Sequence, residues 1–324
     1  MGYRGDGRDL RRREDYDRVY ERSYRNYPGN SHRDLGRRDG RRDRKSLDMG
    51  YRGKKKTLRR RKQRQRIIKA AIAGAMACVV LFAGIGMVRL LKGKDGKKDS
   101  APKAKKEETL EDFAKKHDLT MEAYPPELLE LLERNQEAKK FVWEYPLKKD
   151  ERPEIDLSEY ADADEMPLLM QWDQRWGYTQ YSGNVMGLTG CGPTCLSMVA
   201  MYLSNDTTRD PAWMAEFSTE NGYAAEGSGT AWALFSEGGE RLGFDVTEIP
   251  LDEKRIADNL EVGNPVVAVM GPGAFTTEGH FIVFTRYEDG KLRVNDPNSR
   301  ANTDKPWDFE EISSQIKQLW VFRK

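Results

Sequence analysis

Cysteine and histidine are almost missing from this chain of 324 residues, which has three of each. Three cysteines exclude a disulfide scaffold, and no pair of His or Cys stands at metal-ligand spacing. No metal and no cofactor is therefore expected. Long apolar runs are also scarce. A mean hydropathy of −0.81 leaves room for one membrane span at most and excludes a polytopic membrane protein. An excess of either charge is lacking as well, with 55 Lys+Arg against 53 Asp+Glu and a net of +2. This balance excludes a uniformly basic nucleic-acid binder and a uniformly acidic solvating chain.

The balance hides a segregation. Residues 1–69 hold 26 Lys+Arg and 10 Asp+Glu, a net of +16, and residues 70–324 carry the remaining −14. Between them lies the one apolar run, Ala70–Val88, 19 residues without charge or proline. As a helix it would be roughly 28 Å long, close to the thickness of a bilayer core. Nine Lys+Arg fall in the fifteen residues before it and six in the fifteen after it. The positive-inside rule then places the N-terminus in the cytoplasm and the C-terminal portion outside.

The organisation expected is a disordered basic cytoplasmic tail (1–66), a transmembrane helix (67–91), a flexible linker (92–106), a helical leader (107–160) and a folded domain (161–324). The tail has no helical or strand period and too little apolar surface to offset the entropy of ordering. Its juxtamembrane stretch Lys54–Arg66 suits anionic lipid headgroups, and no nucleic-acid partner is expected. The localisation predicted is a single-pass cell-membrane protein, of a kind that suits a Gram-positive surface. In the leader, Leu128, Leu129, Leu131 and Leu132 after Pro125-Pro126 predict a short amphipathic helix. A second turn around Ala138–Trp143 is expected to end before Pro146. Nothing in the leader suggests chemistry, and packing alone accounts for it.

The chemistry concentrates beyond residue 161. Cys191 precedes Leu196, Val199, Ala200 and Leu203, whose spacing marks a buried helix face. Cys191 is thus placed at the amino end of that helix, where the positive dipole end favours a thiolate. Cys195, one turn in, reads as a small core residue, and a Cys191–Cys195 disulfide is disfavoured by orientation within one turn. His280 opens a β-branched and aromatic run to Tyr287, and Lys291–Asn295 forms a second strand. A three-residue loop Glu288-Asp289-Gly290 would pair Tyr287 with Lys291. Asp296 then faces Ile282, on the side of His280, within reach of His280 Nδ1. A two-residue Asp-Gly loop would put Asp296 and His280 on opposite faces. Pro265–Met270 is expected to be a buried strand of the same sheet. Trp172, Trp176, Trp213, Trp232 and Trp307 are candidates for a substrate groove, with core packing the default.

Residues from about Met166 to Lys324 resemble the extracellular branch of the bacteriocin-leader-type cysteine peptidases of the papain-like superfamily. The stretches that carry the resemblance are Gln171–Gly177, Gly190–Val199, Gly271–Val283 and Asn295–Ser299, in that order. It implies an α+β papain-like cysteine peptidase domain, with a helical part carrying the Cys and an antiparallel sheet carrying His and Asp. It also implies Cys191 as nucleophile, His280 as general base and acid, Asp296 as the group that orients the imidazole, and a Gln side chain in the oxyanion hole. Gln171 is the choice for that last role, with Gln174 and Gln180 as rivals. The chain has no P-loop sequence, so processing of exported leader peptides, as in transporter-fused relatives, is not implied. The function expected is a membrane-anchored extracellular thiol hydrolase, a peptidase or amidase acting on peptide or cell-wall peptide bonds. The alternative is a catalytically idle surface binding module with the same fold.

Overall fold

The structure is a computed structural model that describes residues 108–324 with the exception of Ser228. The expected tail, membrane span and linker lie outside the described residues. Among the described residues no helix is long and apolar enough to cross a membrane.

The leader forms three helices, α1 (Leu110–Lys116), α2 (Pro126–Arg134) and α3 (Lys139–Lys148). The start of α2 follows from Pro126 in its first turn, whose missing N–H costs nothing there. Leu128 and Leu131 are its buried face. The turn expected around Ala138–Trp143 does not stop before Pro146. It carries that proline inside α3 and continues, with Lys149 N donating to Tyr145 O at 2.9 Å. The helix gains more from burying Phe141, Val142 and Trp143 than it loses from one missing donor.

The domain that follows is mixed. After the small hairpin β1 (Gln180–Tyr181) and β2 (Asn184–Val185) come the short helix α4 (Met186–Thr189), α5 (Cys191–Ser204) and α6 (Pro211–Glu220). A second small hairpin pairs β3 (Ala224–Ala225) with β4 (Gly229–Thr230). Then come α7 (Glu237–Arg241), β5 (Asp245–Glu248), α8 (Glu253–Glu261), β6 (Val266–Met270), β7 (His280–Glu288) and β8 (Lys291–Asn295). The chain ends with α9 (Arg300–Asp304), β9 (Trp307–Asp308), α10 (Phe309–Ile312) and β10 (Ile316–Arg323). The main sheet has the order β5-β10-β6-β7-β8-β9, and every pair in it is antiparallel.

Both faces of this sheet are covered, which is why β6 reads as an unbroken apolar run rather than an alternating one. Val267, Val269, Phe281, Val283, Trp320 and Phe322 pack with Cys195, Leu196 and Val199 of α5. Their strand neighbours Val266, Ala268, Met270, Ile282, Phe284 and Val321 pack with Ile256 and Leu260 of α8 and Ile312 of α10. The period-2 alternation of side chains divides one strand between two cores. A third cluster joins the leader to the domain through Leu128, Leu131, Phe141, Val142, Tyr178 and Val185. The fit there is close, because a Cβ on Gly187 would lie 2.3 Å from Phe141 Cζ.

The hairpin that follows His280 departs from the expected loop. Its turn has two residues, Asp289 and Gly290, both at positive φ (54° and 78°), and Glu288 pairs with Lys291. That register runs through Tyr287↔Leu292 and Arg286↔Arg293 and then shifts by one, so Phe284 pairs with Val294 and Val283 with Asn295. The extra residue is Thr285, a β-bulge whose hydroxyl donates to Arg293 O at 3.3 Å. Continued without the bulge, the two-residue turn would have put Asp296 on the far face, as anticipated. The bulge restores the register and with it the shared side of His280 and Asp296.

The packing of the leader generates a stability prediction. Phe141→Ala empties a fully buried ring site and is expected to cost about 3–5 kcal/mol, read from the shift in denaturant midpoint. A change below about 1 kcal/mol would mean that the leader does not pack on the domain.

Candidate active site

Cys191 is the first residue of α5, a helix of 14 residues, and it is only partly buried. Gly190 makes the turn into the helix, with its N–H donating to Met186 O at 2.8 Å. Gly192 is required by crowding, since a Cβ there would lie 2.4 Å from Thr230 Oγ1. The Cys191 amide is in the first turn, where helical N–H groups have no intrahelical acceptor and the dipole end is positive. Cys195 is fully buried, and its thiol donates to Phe281 O at 3.3 Å, which ties α5 to β7. Burial pushes the Cys195 thiol up, and the nearby Cys191 and Asp296 add to that. It is an inert core thiol.

His280 begins β7 opposite Met270 of β6 and is buried. Its Nε2 lies 2.7 Å from Asp296 Oδ1. The expected Nδ1 contact is not the one formed: the carboxylate takes Nε2, which leaves Nδ1 free of Asp296, and Cys191 lies near enough to the ring to favour its charged form. Burial alone would lower the imidazole pKa. The charge and hydrogen bond of Asp296, together with Cys191, overcome it and raise the group to about 10. The ring is held as imidazolium through the neutral range.

Asp296 follows β8 and is fully buried. A buried carboxylate needs partners, and it has them. Oδ1 also accepts from Asn298 N at 2.8 Å, and Oδ2 accepts from Asn302 Nδ2 at 2.7 Å. Burial opposes its charge, but the His280 ring and these donors hold the carboxyl below the usual range. Its own N–H donates to Thr303 Oγ1 at 3.0 Å.

Gln171 is buried and sits between two parts of the site. Its backbone N–H donates to Pro297 O at 2.8 Å, beside Asp296, and its Nε2 donates to Gly187 O at 2.9 Å, four residues before Cys191. An amide nitrogen carries two hydrogens, so the second remains for an incoming oxygen. The rivals stand elsewhere. Gln174 is held by the leader, donating to Glu144 Oε2 at 2.9 Å and accepting from Lys148 Nζ at 3.2 Å. Gln180 is exposed on β1. Among the tryptophans considered for a groove, Trp176 and Trp307 are core residues. Trp172 donates through Nε1 to Asn298 O at 2.9 Å and so braces the loop after Asp296. Asn302, which completes the carboxylate's shell, escaped the sequence reading. It lies in a five-residue helix with no apolar period to announce it.

These shifts have a consequence for stability. The raised His280 pKa contributes stability that is complete below about pH 6.5, its ordinary value, and is lost as pH rises through about 10. The lowered Asp296 pKa contributes stability that is present above the ordinary carboxylate range and is lost as pH falls below it. Wild-type protein is therefore expected to lose denaturant resistance between about pH 7 and 10. Asp296→Asn should be less stable at pH 7 and flatter over that window. Parallel curves for the two proteins would contradict the ion pair.

Residues 163–322 match the model of the Peptidase_C39 like family. Among solved structures, the chain is similar to the peptidase domain of Streptococcus ComA, described as a bi-functional ABC transporter involved in a quorum sensing pathway. The identity is 22% and the TM-score 0.34, over 41% of this chain and 90% of that one. It is also similar to a putative C39-like peptidase from Bacillus anthracis, with 15% identity and a TM-score of 0.31 over 49% of this chain and 94% of that one. No curated protein matches. Residues 163–322, which carry Cys191, His280, Asp296 and Gln171, form a cysteine peptidase-like enzyme domain.

Proposed function

We propose that the protein is a membrane-anchored thiol hydrolase, a peptidase or amidase, whose enzyme domain stands outside the cell and acts on peptide bonds of peptides or of the cell wall. The observation that carries the chemistry is the buried 2.7 Å pair of His280 Nε2 and Asp296 Oδ1 beside Cys191 at the head of α5. The apolar run Ala70–Val88 and the basic residues before it support the anchor and its orientation.

The reaction is acyl transfer. The Cys191 thiolate, held against the imidazolium, attacks the carbonyl carbon, and the carbon–oxygen π pair moves to oxygen. The Cys191 N–H and the Gln171 Nε2–H stabilise that oxyanion. Collapse breaks the C–N bond while His280 Nδ1–H protonates the leaving amine, which gives a thioester and a neutral ring. His280 then takes a proton from water, the hydroxide attacks the thioester, and the carboxylic acid leaves with the thiolate regenerated. Asp296 stays ionised throughout and keeps the ring oriented through Nε2. No cofactor enters. The acidic portion beyond the span gives the domain no charge attraction for anionic polymers. Substrate is therefore recognised by fit to a groove, and the basic juxtamembrane segment meets anionic lipid instead.

Iodoacetamide labelling followed by peptide mapping tests the nucleophile. Rapid modification at residue 191 is expected in the wild type, with Cys195 spared and the rapid phase gone in Cys191→Ala. Equal labelling of the two proteins would leave a binding module with this fold. Turnover of a peptide substrate should vanish in Cys191→Ala and fall about 10²–10³-fold in kcat in Gln171→Ala. Unchanged turnover in Gln171→Ala would remove it from the oxyanion hole.

A further inference from the structure

The leader reaches the candidate centre. Glu137, between α2 and α3, accepts from Ser299 Oγ at 3.1 Å and Ala301 N at 3.2 Å through Oε1, and from Arg300 N at 2.8 Å through Oε2. These three donors head α9. Next to it, Asn135 Nδ2 donates to Asn298 O at 2.5 Å, the carbonyl that Trp172 also holds.

We infer that Glu137 is a positioning residue for the hydrolase centre, and that the leader is part of the catalytic unit rather than a spacer ahead of it. This rests on the reading of Cys191, His280 and Asp296 as that centre. The argument follows from what α9 can do alone. A helix of five residues forms too few internal hydrogen bonds to persist by itself. Ser299 caps one amide, that of Asn302, at 3.2 Å. Glu137 takes two more, and its negative charge complements the helix end. The far side of the same turn supplies Asn302 Nδ2 to Asp296 Oδ2 and Thr303 Oγ1 to Asp296 N. Glu137 thus fixes α9, α9 fixes the carboxylate, and the carboxylate fixes the imidazole. The leader meets the other half of the site as well. Phe141 fills the space beside Gly187, whose carbonyl holds the Gln171 amide. The matched family segment begins at residue 163 and so does not contain these supports.

The test uses the full-length chain and the ring resonances of His280, one of only three histidines, beside His32 and His117. The titratable groups facing its ring are Asp296 from the loop after β8 and Cys191 from α5, with Cys195 deeper on α5. Glu137→Ala is expected to lower the His280 titration midpoint by at least about one pH unit, toward the ordinary value near 6.5, as Asp296 loosens. Glu137→Gln keeps an oxygen for Ser299 and Ala301 but turns an amide NH₂ toward Arg300 N–H, so its midpoint should fall between. A lowered melting temperature with an unmoved His280 titration would show packing alone and overturn the inference. Should Glu137→Ala not fold, Glu137→Gln decides by the same criterion. Iodoacetamide reactivity of Cys191 in the wild type is measured alongside. A moved titration with an inert Cys191 sustains the brace and rejects the hydrolase reading. A reactive Cys191 with an unmoved titration does the reverse.

Discussion

A charged imidazole and a charged carboxylate 2.7 Å apart in a buried site constrain everything around them. Two ions taken out of water are costly unless each remaining lone pair and hydrogen is matched. The loop after β8 answers that demand. It turns Asn298 N and Asn302 Nδ2 onto the carboxylate, and it is itself held by Gln171, Trp172, Asn135 and Glu137. The same requirement explains why so much of the polar structure lies in a few residues, Asp296 to Thr303, rather than on the sheet. The sheet supplies position, and the loop supplies charge compensation.

The two-sided core gives that arrangement its rigidity. Strand β7 contributes alternate residues to both clusters, so His280 is the end of an element that cannot shift without disturbing two cores. Helix α5 is buried from Gly192 to Met201, and the Cys195 thiol fastens it to the β7 backbone. Cys191 and His280 therefore stand on two rigid elements joined near the site, which is where precise geometry is best kept.

Much of this was legible in the residues themselves. Scarcity made His280 and Cys191 conspicuous, and 3.6 periodicity placed Cys191 at a helix start. β-Branched and aromatic runs marked β6 and β7. Asp296 meets His280 across the two strands, and Gln171 donates to Gly187 O four residues before Cys191. What stayed hidden has a physical reason in each case. A bulge at Thr285 has no period of its own, so the spacing implies a loop one residue longer than the Asp289-Gly290 turn and no register shift. Which imidazole nitrogen meets the carboxylate depends on ring orientation, which spacing does not encode. Pro146 carries the signature of a helix stop, but tertiary burial of α3 outweighs it. Glu137 meets residues more than 160 positions away through polar contacts to backbone amides. Such contacts leave no hydrophobic pattern, and the leader accordingly read as packing alone.

Whether Cys191, His280, Asp296 and Gln171 act as one acyl-transfer centre is tested most directly by the structure of a Cys191 adduct with a short peptide aldehyde. The thiolate would add to the aldehyde carbon and give a tetrahedral hemithioacetal. Its oxygen is predicted to lie about 2.7–3.1 Å from both the Gln171 Nε2 and the Cys191 backbone nitrogen, with the His280–Asp296 pair intact. An adduct oxygen turned away from Gln171, or no adduct at Cys191, would contradict the account.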